Sequence, residues 1–470
     1  MKRFLFALTL CGLMLFSGLV LPQEQAAAAV SHFDNLVVYG DSLSDSGNVF
    51  LLSQGQGPDP AHYWQGRWSN GMVWSEDLAS LMGLSHGLLL SQIMMAQAQA
   101  PVFGSLFFNN AFGGAETGSG AELPVVDFLD QVNQAVAAQV QIPQNTLVAV
   151  WIGANDFLNA DLSTQEKVAA VIGNAVTNIV TGLTRLTDNM GATNIAVFDL
   201  PDLGATPRNN GTPQGAAQGR ALSQAFNNAL GQAIGGFAAA HPGVNIYPIS
   251  SFNLFDKALA QPGLYGFTNN TDAALLEGAT FNSAQGYIFW DTIHPTAQTH
   301  RLLAATVYGD LYINEPGASY LMTDTGRALG IVSTVGVVSS VNFADPGATP
   351  ASDRPSNMIY GLMDVDLTLV PGAAAVFKVV LPEALPNGYS WFKLAGGKWI
   401  DFVKIYQETA GQEGAMISTD RKSVTVIIKD NGPYDSNPAV GEVGDPLAAG
   451  KSTAPRYSSD SGCFISALFH

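Results

Sequence analysis

From residue 34 to about 313 the chain alternates short β-branched runs with longer stretches of helical periodicity, and no other feature narrows the fold as much. Strand-like runs fall at 35–39, 106–111, 146–152, 194–199 and 244–248, and helix-like stretches at 73–82, 126–140, 164–189, 214–240 and 296–312. Strands separated by helices long enough to cross back predict a parallel sheet with helices on both faces. Such a sheet buries its strands on two sides, which accounts for their unbroken apolar character. Thr164 ahead of Glu166 and Lys167 reads as a helix start, and Pro242-Gly243 as a helix stop.

Beyond Glu315-Pro316-Gly317 the texture changes to valine-rich segments punctuated by Gly and Pro, at 331–341, 358–369, 375–381, 389–394 and 424–429. These predict a smaller antiparallel β domain of sandwich type. The expected division is an α/β domain over 30–316, a β-rich accessory domain over 320–430, and a loose Gly/Pro/Asp/Ser-rich tail over 431–470.

At the N-terminus Lys2 and Arg3 precede an apolar run from Phe4 to Leu21 and then Ala26-Ala27-Ala28-Ala29. That is the charged, apolar and small-residue order of a secretory signal peptide over 1–29, with an uncleaved anchor as the alternative. Of the two cysteines, Cys11 and Cys463, cleavage leaves only Cys463, so no intrachain disulfide is expected. With 47% hydrophobic and 12% charged residues over 470 positions, the chain suits two packed domains. A net charge of −18 argues against nucleic acid, or an anionic membrane, as a charge-driven partner.

In an open parallel sheet, sites form outside the C-terminal strand ends. Polar clusters follow the first three strands directly: Asp41-Ser42, then Gly113-Gly114, then Asn155-Asp156. Alone, Ser42 reads as a turn or helix-cap serine. A serine used as a nucleophile needs a base and donors for the tetrahedral oxyanion. Among the seven histidines, His294 alone has a carboxylate, Asp291, three residues before it in a loop that ends in proline, Pro295. A histidine bonded to nearby backbone is the ordinary reading for His241 or His300. Asp291 can hold the His294 ring and stabilise its protonated form. The oxyanion donors expected at neighbouring strand ends are the Ser42 N–H, a glycine N–H at Gly113 or Gly114, and the Asn155 side-chain amide.

These blocks, in this order over roughly residues 33 to 313, resemble the GDSL, or SGNH, family of lipolytic serine hydrolases. The nucleophile block resembles the stretch from Phe33 to Asn48, the glycine block Asn109-Asn110-Ala111-Phe112-Gly113-Gly114-Ala115, the asparagine block Gly153-Ala154-Asn155-Asp156, and the last block Asp291-Thr292-Ile293-His294-Pro295. Gly66-Arg67-Trp68-Ser69-Asn70-Gly71 is similar to a stretch that secreted members carry before their first helix. The resemblance implies a flavodoxin-like three-layer α/β fold and a Ser42–His294–Asp291 triad. It favours Gly114 over Gly113 as the glycine donor. Ser42 is expected to attack a carboxylic ester of a lipid or other small molecule and form an acyl-enzyme, with no metal or organic cofactor. An acyltransferase or carbohydrate acetylesterase is the alternative within the family, and a catalytically silent surface adhesin the alternative outside it.

The chain departs from the family pattern in an apolar insert from Ser85 to Pro101, read either as a lid or acyl-binding wall or as a core helix. Overlapping its start, Gly83-Leu84-Ser85-His86-Gly87 matches the nucleophile elbow of another esterase fold, but that elbow needs a buried strand before it. Residues 74–81 have helical periodicity instead, so Ser85 is expected at a helix end. In the C-terminal region, Leu385-Pro386-Asn387-Gly388-Tyr389, the stretch from Asp430 to Pro438, and Ser461-Gly462-Cys463-Phe464-Ile465 resemble a bacterial choice-of-anchor domain. That resemblance implies retention at the cell surface, with Cys463 as a possible attachment point. Asp430, Asn431, Asp435 and Asn437 have calcium-type oxygens, although metal-free Asx turns use the same residues.

Overall fold

The computed structural model describes residues 32–90, 92 and 103–453. The expected leader at 1–29, most of the insert and Cys463 lie outside the described residues. Six parallel strands form the first sheet: β1 (Asn35–Gly40), β2 (Ser85–Leu89), β3 (Leu106–Asn109), β4 (Thr146–Trp151), β5 (Asn194–Phe198) and β6 (Asn245–Ile249), in the order β2-β3-β1-β4-β5-β6. Leaving out the edge strand β2, this is the flavodoxin-like order, and the chain changes direction of winding between β1 and β4. The residues that follow those two strands therefore border one crevice.

Alternate residues of each strand feed two cores. Leu36 and Val38 of β1 pack with Trp151, Phe198 and the helices Trp74–Leu81, Ser251–Ala260 and Ala297–Tyr312. Val37 and Tyr39 face the other way, onto the helices Phe128–Ala137, Gln165–Asp188 and Pro213–Ala240. Thr164 caps its helix through Lys167 N at 3.3 Å, as its sequence position implies.

Strand β2 corrects one sequence expectation. The helix before it ends at Leu81, and Ser85 opens a parallel strand paired with β3. Ser85 is thus a strand residue and not a helix-end one, while farther along the described insert Leu90 and Gln92 are helical and Leu90 is buried in the second core. The β2 run is short and follows a helix by only three residues, so helical periodicity had masked it.

A short parallel pair, β7 (Asn269–Ala273) and β8 (Tyr287–Phe289), precedes the last helix of this domain. The C-terminal region is then a pair of five-stranded antiparallel sheets. One contains β9 (Ser319–Met322), β10 (Ala328–Val335), β13 (Ala374–Val380), β16 (Gly414–Ile417) and β17 (Ser423–Lys429). The other contains β11 (Val337–Ala344), β12 (Leu362–Thr368), β14 (Tyr389–Ala395), β15 (Lys398–Asp401) and β18 (Glu442–Lys451), in the order β11-β12-β18-β14-β15. The apolar core is continuous from the helix Ala297–Tyr312, through Leu303 and Leu311, to Leu321 and Leu329.

The loose tail expected from residue 431 is overturned up to 453, because β18 is the central strand of its sheet, between β12 and β14. Gly444, Pro446 and Gly450 hid it, being poor strand formers by composition. Their places are set by tertiary contacts: a Cβ at Gly450 would lie 2.8 Å from the Pro355 Cβ. Pro446, which has no N–H, falls one residue outside the stretch paired with β14. The Asx cluster before β18 folds the approach to that strand. Asp430 Oδ2 accepts from the amides of Gly372 at 2.6 Å and Gly441 at 3.0 Å, Asp435 Oδ1 from those of Asn437 at 2.9 Å and Gly444 at 3.1 Å. The Asn431 side chain donates to Asp430 Oδ1.

Candidate active site

β1 ends at Gly40 against β4, where a Cβ would lie 2.3 Å from the Trp151 carbonyl oxygen, so only glycine lets the two strands run this close. The chain then turns out of the sheet. Asp41 Oδ1 accepts from Leu43 N at 3.0 Å, and the Asp41 carbonyl accepts from the amides of Ser44 and Asp45 at 3.0 Å each. Ser42 is left at the C-terminal rim, and its N–H has no acceptor among the described residues.

The Asp291–His294 turn reaches the same rim from 252 positions downstream. Asp291 Oδ1 accepts from the amides of Ile293 and His294 at 2.8 and 2.7 Å, which closes the turn on the carboxylate. Asp291 Oδ2 lies 2.6 Å from His294 Nδ1, and His294 Nε2 lies 2.9 Å from Ser42 Oγ. With a proton on Nδ1 directed at the carboxylate, Nε2 presents a lone pair to the serine hydroxyl. Burial would raise the Asp291 carboxyl, but His294 and the two amides outweigh it and hold it down to about 2.

Gly113, Gly114 and Asn155 come to the same crevice with different duties. The Gly113 N–H is bonded to Asp45 Oδ2 at 2.9 Å, whereas the Gly114 N–H has no acceptor among the described residues. Gly114 takes φ +83°, a left-handed conformation that leaves its N–H unused by the turn. Asn155 opens the helix Ala154–Leu158 after β4 and gives one Nδ2 hydrogen to the Ala115 carbonyl at 2.9 Å. Its second amide hydrogen remains available, so one side chain both ties down the glycine loop and offers a donor.

Two buried carboxyls stiffen the Ser42 loop. Asp45 collects the amides of Asn48 at 2.6 Å, Gly47 at 2.8 Å and Gly113, fastening the serine loop to the glycine loop. Burial lifts its carboxyl to about 6 against those bonds. Burial lifts Asp41 to about 7, with the Leu43 amide and His294 pulling the other way.

The segment from Asp59 to Gly71 holds the histidine loop from outside. The Tyr63 hydroxyl donates to Asp291 Oδ2 at 2.7 Å, and the Trp68 ring packs on the His294 ring at 5.4 Å between centroids. Ser69 Oγ donates to the Pro295 carbonyl at 2.8 Å, and Asn70 Oδ1 accepts from Ala297 N at 2.8 Å. The block at 66–71 carried its family resemblance in sequence, but nothing there linked Tyr63 or Trp68 to a loop so far away. Asp45 was legible in principle, as a carboxylate just before Gly47-Asn48 at a helix start. His241 bonds to the Phe237 carbonyl at 2.9 Å, the backbone use expected of it. The His300 Nδ1 has no partner among the described residues, and burial with the nearby His294 pushes that ring down to about 3.

Beside Ser42 an apolar cleft of about 650 Å³, including its mouth, is lined by Leu158, Pro201, Leu203, Phe255, Phe289 and Ile293. Arg208 stands at its edge, exposed and without an ion pair among the described residues. Leu89 and Gln92 of the insert border a separate cavity with Phe50 and Arg67, so the described part of the insert does not wall this cleft. Ser85 begins a strand, at the opposite end of the sheet from the strand termini that carry Ser42 and Asn155.

A family model described as GDSL-like lipase/acylhydrolase matches residues 36–307. The thermolabile hemolysin of Vibrio parahaemolyticus is 29% identical over 301 residues, covering 60% of this chain and 64% of the hemolysin. The phosphatidylcholine-sterol acyltransferase of Aeromonas hydrophila is 30% identical over 193 residues, covering 40% of this chain and 51% of that protein. The chain therefore spans between half and two thirds of the length of these relatives. Among solved structures, an acetylxylan esterase from Geobacillus stearothermophilus aligns over 60% of this chain and 96% of its own, at 14% identity and a TM-score of 0.32, too distant a likeness to argue from.

Proposed function

Because the chain belongs to the GDSL-like lipase/acylhydrolase family, we propose that it is an exported carboxylic ester hydrolase working through Ser42, His294 and Asp291. The observation that carries this reading is the unbroken chain of contacts from Ser42 Oγ to His294 Nε2 at 2.9 Å and from His294 Nδ1 to Asp291 Oδ2 at 2.6 Å. Ser42 Oγ attacks the ester carbonyl as His294 Nε2 takes its proton. The oxyanion is met by the Ser42 and Gly114 N–H groups and the free amide hydrogen of Asn155. His294 then protonates the leaving alcohol, and water, activated by the same ring, releases the acyl group from Ser42. Asp291, held ionised, steadies the imidazolium in both halves of the cycle.

The apolar cleft supports an acyl chain longer than acetyl, and Arg208 at its edge supports an ester that also carries an anionic group such as a lipid phosphate. Export is supported by the charged, apolar and alanine-rich order of residues 1–29. Surface retention is supported by the motifs at 385–389 and 461–465. Among the described residues no helix is long and apolar enough to cross a membrane. A relative named as an acyltransferase favours a second reading, in which an alcohol rather than water takes the acyl group from Ser42.

A fluorophosphonate probe and a panel of p-nitrophenyl esters from acetyl to palmitoyl test the proposal. Labelling at Ser42 with turnover beyond acetyl is the expected result. A folded chain that is never labelled overturns the enzymatic reading in favour of an adhesin, and confinement to acetyl overturns the acyl-chain reading. Product analysis in the presence of an acceptor alcohol separates hydrolysis from transfer.

A further inference from the structure

Lys393 and Asp445 are both wholly buried in the C-terminal sandwich, each with 0% side-chain exposure. Lys393 of β14 stands opposite Leu447 of β18, and Asp445 lies two residues back along β18, so the two project from the same face of the sheet. Trp391, Val443 and Leu447 share that face and belong to the core between the sheets, which places the pair among apolar side chains and away from any solvent rim. Lys393 Nζ lies 2.5 Å from Asp445 Oδ1 and 3.2 Å from the Gly444 carbonyl. Asp445 Oδ2 has no hydrogen-bond partner among the described residues.

As an ordinary ion pair this arrangement is poorly served. Two charges taken out of water are compensated only when their remaining lone pairs and protons are also satisfied, and Oδ2 is not. Burial lifts the Asp445 carboxyl to about 6 against the pull of Lys393, with Asp364 and Asp435 adding to the rise. A proton passed from Nζ to the carboxylate leaves a neutral amine against a protonated acid, both wholly buried among apolar side chains.

We propose that Lys393 and Asp445 condense into an intramolecular amide that staples β14 to β18. The Lys393 Nζ lone pair attacks Asp445 Cγ and an Nζ–Cγ bond forms. One Cγ–O bond breaks, and that oxygen leaves as water with two protons that began on Nζ. The ammonium and carboxylate become one neutral amide plus one water, and nothing is oxidised or reduced. The remaining amide hydrogen already has its acceptor in the Gly444 carbonyl. The staple closes a loop of 52 positions in a chain that has no cysteine between Cys11 and Cys463, so no disulfide can supply that constraint within the described residues.

The test is the mass of the purified full chain under denaturing conditions, compared with the mass calculated for its determined N-terminus, followed by tryptic mapping. The expected result is a deficit of one water and a branched peptide that joins the segments containing Lys393 and Asp445, uncleaved after Lys393. Lys393→Arg keeps the cation without the nucleophilic amine and is expected at its full calculated mass. A wild-type chain that melts cooperatively yet shows its full mass and two separate peptides overturns the proposal, and this holds whether or not the variant folds. The result is independent of esterase activity, so it stands or falls apart from the function proposed above.

Discussion

Tyr63 and Asp291, 228 positions apart, share a hydrogen bond of 2.7 Å on the carboxylate oxygen that also meets His294. Burial and the Asp291 charge hold the Tyr63 phenol well above its ordinary value, so it stays a donor. Its bond to Oδ2 helps hold the Asp291 carboxylate in line with the His294 ring. Tyr63→Phe is expected to lower kcat by about 10- to 100-fold, the worth of one hydrogen bond to a charged group. An unchanged kcat assigns Tyr63 to packing alone.

Replacing Ser42 and Ser85 separately distinguishes the two serines that sit in nucleophile-like sequences. Ser42→Ala should lower kcat by on the order of 10⁵, leaving what binding and the oxyanion donors supply. Ser85→Ala should leave ester turnover unchanged within about twofold, as expected of an exposed residue at a strand start. The reverse pattern in folded variants ends the Ser42 assignment.

Asn155→Ala removes one proposed oxyanion donor and the tether to the Ala115 carbonyl. A kcat lower by about 10²- to 10³-fold with KM nearly unchanged is expected, because the lost interaction is made with the developing oxyanion. Loss confined to KM points instead to substrate positioning.

Gly113 and Gly114 are adjacent but intolerant for different reasons. At Gly114 the positive φ is the obstacle, while at Gly113 a Cβ would lie 2.0 Å from Trp68 Nε1, and Trp68 in turn packs on His294. Gly113→Ala should cost about 1–3 kcal/mol in stability through overpacking and displace the ring from His294. Adding Trp68→Phe, which removes the clashing atoms, should recover part of that stability in a thermal melt. No recovery places the cost elsewhere.

Stability should fall as pH rises through the range set by Asp41 and Asp45. An acid whose folded pKa is raised holds its proton more tightly folded than unfolded. Its contribution is complete below the unfolded value near 3.8 and is lost as pH climbs through about 7 for Asp41 and about 6 for Asp45. Asp291, held down to about 2, acts oppositely, its contribution present above the unfolded value and lost only as pH falls toward 2. Asp41→Asn keeps an acceptor for the Leu43 amide without the titration, so it should flatten the fall in Tm between about pH 4 and 7. An unchanged slope means Asp41 does not titrate in that window.

Much of the α/β domain was legible because its information is local. The strand runs at 35–39 and 146–152 are apolar on both faces, as strands covered twice must be, and they became β1 and β4 within a residue at each end. The placement of Ser42, Asn155 and Gly114 at one rim was legible because they follow such runs, and a parallel sheet sends all its C-terminal ends one way. β18 was not legible, since Gly444, Pro446 and Gly450 argue locally for a loop and only the strands on either side make it a strand.

Sequence alone determined most strands of the parallel sheet and the polar residues at their ends, because hydrophobic period and turn chemistry act over a few positions. Tertiary structure alone decided that Tyr63 meets Asp291, that Gly113 is taken by Asp45 while Gly114 is free, and that Lys393 and Asp445 lie together out of water. Those are contacts between segments distant in the chain, fixed by how loops and sheets pack, and no local pattern of residues encodes them.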